Sequence, residues 1–317
     1  MRDLFFKKLY NLGVCSLLRM SKKNSITVLS LHRISEERDF FFNPIKPSTF
    51  VKLLEYCCKY YEITTFEDVH KPSAKAKLIL SFDDGYYDFI EFAMPIMKKM
   101  GIPSNHNIVN SCANSNEVIW TQKLNDVFNF MKINDITNDN IIKTTSTFQG
   151  NWMQYYLSFF YEMLRTEKEQ RVAIINQLVN HYNIISNCRM MNWDDIIYCS
   201  QNDVEIGSHT YNHDSLISIK KSINYDIEIH RSITEISEKI KKNVSILALP
   251  NGKYSNEVLE YVNCTEIKFL LLVDDKINKS ITDPNLNLVS RIGLADDSPW
   301  ESILRMELFH SKLKKIV

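Results

Sequence analysis

The sequence predicts an α/β protein whose strands and helices form a distorted (β/α) barrel of about seven strands, interrupted by one helical insertion. Short runs rich in β-branched and aromatic residues recur along the 317 residues, and helical patterns separate several of them. Strands that alternate with helices indicate parallel βα units. The number of units favours a closed or nearly closed barrel over an open sheet. A long stretch without strand character predicts the insertion.

Each predicted strand is a short apolar run with strand-like composition. The strands are Ile26–Leu31, Tyr61–Thr65, Lys77–Phe82, Asn105–Val109, Val204–Gly207, Val244–Leu249, Lys268–Val273 and Leu286–Arg291. Apolar residues at helical spacing predict helices at Pro47–Tyr60, Asp88–Met100 and Tyr225–Lys241. The insertion, at about 120–190, has three helical segments: Leu124–Lys132, Trp152–Leu164 and Glu167–Tyr182. We expect it to form a lid or a side wall.

Composition and charge narrow the classes of partner and location. Lys+Arg and Asp+Glu both number 38, so nothing indicates a nucleic acid or an anionic membrane as partner. No apolar run approaches the roughly 20 residues of a membrane-spanning helix. Residues 1–22 predict an amphipathic N-terminal helical segment that lies on a surface or a partner, ahead of one domain at 23–317. Seven cysteines without a CxxC pair favour a reducing compartment, hence a cytoplasmic location, with membrane association through the N-terminal helix left open.

Glycine is scarce, with 7 residues in the chain, against roughly 22 at the average usage. The glycines that remain are expected where the backbone geometry excludes a side chain. Three of them, Gly85, Gly207 and Gly252, lie inside segments that carry candidate functional residues.

Two adjacent carboxylates, Asp83 and Asp84, follow the predicted strand Lys77–Phe82 and precede Gly85. An Asp-Gly turn with a helix-capping aspartate would explain this pattern without any chemistry. However, neighbouring carboxylates repel each other unless a cation or a shared proton relieves the repulsion. The C-terminal ends of parallel strands are also where α/β barrels place their active sites.

Two histidines, His209 and His213, follow the predicted strand Val204–Gly207. On a helical turn, residues four apart share a face, so both imidazoles would reach one metal ion. Imidazole with carboxylate suits zinc, and also iron, cobalt or nickel. Two surface histidines in a polar loop are the alternative. One aspartate and two histidines give three ligands with positions open for water, and the second aspartate is left over as a base.

Five segments resemble motifs of the polysaccharide deacetylase family (NodB-like, carbohydrate esterase family 4), in the expected order. Ser81–Gly85 resembles the TFDDG motif, and His209–His213 matches the H[S/T]xxH motif. Ser30–Ile34 is similar to the first strand of the family, and Asn192–Asp195 to the helix start that precedes the histidine strand. Leu249–Gly252 is similar to the P-[YN]-G segment.

The resemblance implies metal-dependent hydrolysis of the N-acetyl group of an amino sugar in a surface polysaccharide or glycolipid precursor. It implies that Asp83 is the general base and that Asp84, His209 and His213 hold a divalent metal, most often zinc. With the metal, a backbone N–H near Asn251 would stabilise the oxyanion.

The sequence departs from the family pattern at two catalytic positions. The arginine that usually pairs with the base is replaced by Ala248, and we expect Arg291, or else Arg33, to lie within about 4 Å of Asp83 instead. Arg291 is favoured because it ends an alternating strand. His32 is expected to line the site and to point away from Arg33, since neighbouring strand residues face opposite sides.

The general acid and the acyl group remain open. The late histidine His310 lies in a segment with helical spacing, and so is a weaker candidate than His32. Tyr86 is expected to contact a sugar face, whereas Tyr87 and Trp120 fit ordinary packing better. The alternatives are a deformylase acting on a lipid-linked amino sugar, and a catalytically weak carbohydrate-binding relic.

Overall fold

The computed structural model describes residues 2–20, 22, 24–115, 117–139, 141–142, 148–217, 225–294 and 298–310. Parts of the predicted N-terminal segment (residues 1 and 21) and of the insertion (residues 140 and 143–147) lie outside these ranges. The strands are β1 Ile26–Leu31, β2 Glu62–Ile63, β3 Lys77–Phe82, β4 Ser104–Ile108, β5 Val204–Ser208, β6 Ile246–Ala248, β7 Phe269–Leu271, β8 Asn287–Val289 and β9 Ile292–Gly293.

The helices of the described residues follow most strands, as βα units require. They are α1 Arg2–Asn11, α2 Val14–Met20, α3 Pro47–Tyr60, α4 Met94–Met100, α5 Asn110–Ser115, α6 Trp120–Ile133, α7 Trp152–Arg165, α8 Lys168–His181, α9 Trp193–Ser200, α10 Ser232–Ile240, α11 Asn256–Asn263 and α12 Pro299–Met306. A π-helical turn precedes α4 at Phe89–Ala93, and another precedes α10 at Asp226–Arg231.

The sheet is parallel, in the order β8-β7-β6-β5-β4-β3-β1-β9, with β2 paired to β3. β8 pairs with β7, whereas β9 pairs with β1, and only Ser290 and Arg291 separate the two strands in sequence. The segment from Asn287 to Gly293 therefore pairs with both ends of the sheet. This gives the distorted (β/α) barrel that the sequence predicts. The strand predicted at Leu286–Arg291 ends at Val289 in the structure, because the chain leaves β7 there and pairs with β1 from Ile292 onwards.

The insertion packs around an apolar cluster of its own, separate from the main core. Phe41, from the connection between β1 and α3, stacks on Tyr156 of α7 with ring centroids 4.6 Å apart. The fully buried side chains of α6, α7 and α8 include Leu124, Val127, Phe128, Met131, Phe159, Met163, Ile175 and Leu178. The insertion is thereby attached to the loops at the C-terminal ends of the strands.

The N-terminal helices are attached to the barrel through α3 and the end of the chain. Phe6 and Cys15 are buried in the main core. At the base of α3, the buried Glu307 accepts hydrogen bonds from Tyr56 (2.8 Å) and Tyr61 (2.7 Å) and pairs with Lys22 at 3.2 Å. Among the described residues, none of the helices has the length and apolar character needed to cross a membrane.

Candidate metal and catalytic site

The candidate site lies where several parallel strands end. Asp83 and Asp84 follow β3, His209 follows β5, His32 follows β1, and Arg291 lies between β8 and β9. The C-terminal ends of parallel strands lie on one side of a barrel, so side chains distant in sequence converge there.

Two separations match a metal site formed by Asp84, His209 and His213. The Nε2 atoms of both histidines lie 3.4 Å from Asp84 Oδ1, and one ligand atom from each residue lies within 4.8 Å of the others. Two ligands of a tetrahedral ion with bonds of about 2.0–2.1 Å are about 3.3–3.4 Å apart. Asp84 Oδ1 is buried and accepts no hydrogen bond from the described residues. A cation would satisfy this oxygen, so the donor set fits a divalent metal.

The ring of His209 is oriented by a backbone carbonyl. Its Nδ1 lies 2.8 Å from the oxygen of Ala248. A histidine that donates its Nδ1–H presents an unprotonated Nε2 to a metal. Burial lowers the pKa of both His209 and His213, which favours the neutral imidazole that a metal binds. Ala248 thus contributes to the site through its carbonyl group.

The segment from His209 to His213 is a loop, so the expectation of a helical turn was wrong. Thr210 (φ 66°) and His213 (φ 59°) adopt left-handed backbone conformations. The side chain of Glu228 accepts a hydrogen bond from the Asn212 N–H at 2.9 Å and holds the loop against the π-helical turn. The imidazoles meet with ring centroids 4.8 Å apart because the chain reverses, and not because they share a helix face.

Backbone geometry also separates the two aspartates. Asp84 (φ 77°) and Gly85 (φ 86°) are consecutive left-handed residues directly after β3. Such a conformation is uncommon for a residue other than glycine, and it marks a turn that the surrounding structure holds in place. The turn sends the Asp84 carboxylate towards the histidines, while Asp83 points to a different set of partners.

The Asp83 carboxylate is held by two buried donors. Arg291 Nη1 (2.8 Å) and Asn107 Nδ2 (2.7 Å) both donate to Oδ1, so Oδ2 receives neither bond. Arg291 is fully buried, and it is fixed by further bonds to Ser81 Oγ (3.2 Å) and the Leu272 carbonyl (3.0 Å). Burial opposes ionisation of Asp83, but the nearby Arg291 outweighs it and lowers the pKa of Asp83 below its usual range. Asp83 is therefore a carboxylate at neutral pH.

Of the two arginines that the sequence proposed, the structure brings Arg291 to Asp83. Arg33 instead donates to Asp88 at 2.7 Å, and its guanidinium lies 5.1 Å from the centroid of the Tyr86 ring. Arg33 and Asp88 form a separate buried ion pair next to the site.

The contact of Asn107 with Asp83 was not predicted from the sequence. Asn107 lies on β4, whose five residues are all buried although the four at positions 104–107 are polar or histidine. Asn107 pairs with Gly207 of β5, where a Cβ atom would lie 2.2 Å from Asn107 Oδ1. Gly207 therefore admits the amide that holds Asp83. Polar residues inside a predicted strand, opposite a retained glycine, were the available signal.

A cavity of about 820 Å³ opens above Asp83, Asp84 and the two histidines. One side is formed by the barrel loops, and the insertion forms another. On the insertion side, α7 contributes an apolar and aromatic surface formed by Tyr156, Leu157, Phe160, Tyr161 and Leu164. Polar and charged residues of the insertion complete this wall: Thr121, Gln122, Asn125, Arg165 and Glu167.

Of the remaining residues that the sequence proposed for the site, His32, Tyr86 and Asn251 line the cavity and His310 does not. His32 lines the cavity, and burial lowers its pKa to about 4, so its imidazole is neutral. Tyr86 also lines it, but is only 2% exposed, and its hydroxyl lies 3.2 Å from Gln122 Oε1. Asn251 is an exposed lining residue with φ 61°. His310 is held elsewhere, 3.4 Å from Glu301.

Comparisons with known proteins agree with this architecture. Residues 125–270 match the family model described as polysaccharide deacetylase. The Streptococcus pyogenes deacetylase PplD, solved with acetate, is 16% identical, with TM-score 0.59, covering 89% of this chain and 98% of that one. IcaB from Ammonifex degensii is 16% identical (TM-score 0.57; 89% and 97% covered). The de-N-acetylase of Aggregatibacter actinomycetemcomitans is 17% identical (0.57; 89% and 99%). No curated protein sequence matched.

The family-model match and the (β/α)-barrel fold indicate a hydrolase of the carbohydrate de-N-acetylase class. The solved structures show the shared fold, because their identities are low. The matched segment contains His209 and His213. Residues 125–270 thus resemble the polysaccharide deacetylase family, and the fold of the chain is the one that solved deacetylases have.

Proposed function

We propose that this protein removes the N-acetyl group of an amino sugar in a surface polysaccharide or glycolipid precursor, and that a divalent metal, with zinc the first choice, binds Asp84, His209 and His213. The observation that carries the proposal is the division of the two adjacent aspartates. Asp84 faces the histidines at 3.4 Å, whereas Asp83 is held as a carboxylate by Arg291 at 2.8 Å. A hydrolytic site needs both a ligand set and a separate base.

The side chains have distinct roles in the proposed reaction. A bound metal would supply a water of lowered pKa and would polarise the acyl carbonyl. Asp83 takes the proton from the attacking water, and Arg291 and Asn107 hold its carboxylate in place. As the C–N bond breaks, the nitrogen of the sugar takes up the proton that Asp83 removed from the water, and neutral His32 at the cavity wall would relay that proton. The backbone N–H of Asn251 would donate to the acyl oxygen.

The neighbours support acetate as the released acid. The Streptococcus pyogenes deacetylase was solved in complex with acetate, and the Aggregatibacter actinomycetemcomitans protein is described as a de-N-acetylase. Tyr86, a lining residue of the cavity, remains a proposed contact for the sugar.

The test combines metal content with turnover. Purified, unchelated protein should contain about one metal ion per chain by mass spectrometry, and it should release acetate from N-acetylated amino-sugar oligomers. Chelation should abolish release, and added zinc should restore it. A folded protein without metal and without activity would instead favour the carbohydrate-binding relic.

The apolar wall of the cavity favours a second candidate, an amino sugar attached to a lipid. Leu157 and Tyr161 are exposed on this wall, and such side chains suit a hydrocarbon chain better than a second sugar. Activity on four substrates distinguishes the two candidates: an N-acetyl and an N-formyl amino sugar, each supplied free and attached to a lipid. Preference for an N-formyl, lipid-linked substrate would replace the first candidate by the deformylase.

The N-terminal helices support a location on the cytoplasmic membrane surface. Leu4 on α1, Leu12 between the two helices and Leu17 on α2 are exposed, and α1 also carries Lys7 and Lys8. Apolar side chains with flanking lysines suit an anionic lipid interface. We expect the protein to float with phosphatidylglycerol vesicles, and a variant carrying both Leu12→Asp and Leu17→Asp to stay in solution. Equal flotation of both would contradict the association.

A further inference from the structure

The metal ligand His213 lacks the ring support that its partner His209 has. His209 Nδ1 lies 2.8 Å from the Ala248 carbonyl, whereas His213 Nδ1, although buried, has no hydrogen-bond partner among the described residues. His213 also has a left-handed backbone, φ 59°. The direction of its ring must therefore be set through its backbone and its neighbours.

Two side chains of the helical insertion reach this part of the loop. The indole Nε1 of Trp120, the first residue of α6, donates to the His213 carbonyl at 3.1 Å. Arg171 of α8 forms a hydrogen-bonded ion pair with Asp214, the residue after the ligand. Two helices of the insertion thus hold two consecutive residues of the metal-binding loop.

The two contacts also support each other. The Arg171 guanidinium lies 4.8 Å from the centroid of the Trp120 ring, and Phe160 of α7 stacks on that ring with centroids 5.6 Å apart. Trp120 and Arg171 are both buried, at 8% and 3% exposure. In such surroundings the ion pair and the indole hydrogen bond are weakly screened and geometrically constrained.

We propose that Trp120 and Arg171 are positioning residues that hold His213 in its ligating orientation, and we call this pair the insertion clamp. The insertion then has a second role beside forming the cavity wall, because it completes the metal site. The inference rests on the metal site of the proposed function. Neither residue contacts the reacting atoms, so their effect should reach the reaction through metal affinity.

The test measures metal affinity rather than turnover. Zinc affinity of each variant is determined by competition with a chromophoric chelator, and the melting temperature of the metal-free protein is recorded in parallel. Loss of a partner that orients a ligand typically weakens metal binding by about 10–100-fold. We expect about 10-fold weaker binding for Trp120→Phe, which keeps a ring against Phe160, and for Arg171→Met. Arg171→Lys, which retains the charge opposite Asp214, should recover part of the loss.

Matched controls come from the contact between α1 and α12. Trp300 packs on Tyr10 with ring centroids 4.8 Å apart, and Arg2 pairs with Glu301. Trp300→Phe and Arg2→Met should leave zinc affinity unchanged.

Three outcomes would count against the clamp. Equal affinity of the clamp variants and the controls would overturn it. So would a lower melting temperature of the metal-free variants without any change in affinity, because that is the signature of ordinary packing. A parent protein that binds no metal would overturn both the clamp and the proposed metal site, which distinguishes the two failures.

Discussion

At the scale of single residues, the site depends on giving two neighbouring carboxylates different partners. The left-handed turn at Asp84 and Gly85 is what makes this possible, since it turns one carboxylate to the histidines and leaves the other beside Arg291. Without a cation at the histidines, burial and the charge of Asp83 raise the pKa of Asp84 well above its usual value. Asp84, the proposed ligand, is thus costly to ionise until a metal binds, whereas Asp83, the proposed base, is ionised already.

The division of roles predicts different losses for the two aspartates. Asp83→Asn should retain the metal and lose about 10²–10⁴-fold in kcat, the usual contribution of a general base. Asp84→Asn should lose the metal, because a neutral amide is a poor ligand for a dication. Metal content by mass spectrometry and kcat are measured on both. If Asp83→Asn were metal-free and Asp84→Asn metal-loaded, the assigned roles would be reversed.

The buried ion pair of Arg291 with Asp83 predicts an effect on pH dependence. With Arg291→Met, burial acts on Asp83 without the opposing guanidinium charge, so the pKa of Asp83 should rise and the acid limb of kcat/KM should move to higher pH. Breaking a buried pair should also cost about 3–5 kcal/mol of folding stability. Because Asp83 has a lowered pKa in the folded parent, the stability from this pair is present above the unfolded pKa and lost as the pH falls. An unshifted acid limb in a folded variant would contradict the assignment.

At the scale of helices and strands, some sequence patterns predicted the structure and others did not. The bounds of β1, β3 and α3 agree with the predictions, because apolar runs and helical spacing report directly on burial. The candidate ligands that the structure brings together, Asp84, His209 and His213, could be named from the sequence. The loop at His209–His213 was taken for a helical turn, because residue spacing carries no information about left-handed backbone. Asn107 was missed because its role depends on pairing with a distant strand.

Because Gly207 of β5 pairs with Asn107 of β4, we predict that a side chain at position 207 would disturb the hydrogen bond from Asn107 to Asp83, the proposed base. In Gly207→Ala the new Cβ would lie 2.2 Å from Asn107 Oδ1, so the amide must shift away from Asp83. Overpacking of this kind costs about 1–3 kcal/mol, and kcat should fall with it. Gly293→Ala is the control, because the nearest atom to its Cβ would be Val273 Cγ1 at 3.7 Å. Equal stability and activity of both variants, by urea unfolding and acetate release, would refute the argument.

At the scale of the whole molecule, the two ends of the barrel differ in chemistry. The catalytic end collects the aspartates, histidines and Arg291. At the opposite end, the Glu205 carboxylate accepts the backbone N–H groups of Phe66 (2.8 Å) and Glu67 (2.9 Å) and joins β5 to the segment after β2. Burial raises the pKa of Glu205 to about 7, although the two backbone bonds oppose this.

The raised pKa of Glu205 predicts that the free energy of unfolding falls as the pH rises from about 5 to about 8. Its folded pKa of about 7 lies above the unfolded value of 4.5, so the folded state binds the proton more tightly. The resulting stability is fully present below pH 4.5 and is lost as the pH rises through 7. At 1.36 kcal/mol per unit of pKa shift, the loss over the whole titration is on the order of 3 kcal/mol. In Glu205→Gln this loss should vanish. The free energy of unfolding, measured with urea at pH 5, 6, 7 and 8, should therefore depend less on pH in the variant than in the parent.

Burial also raises the pKa of Asp88, to about 6, so Asp88 adds a loss of stability with rising pH in both proteins. This contribution cancels when the profile of the variant is subtracted from that of the parent. Parallel profiles would contradict the raised pKa of Glu205.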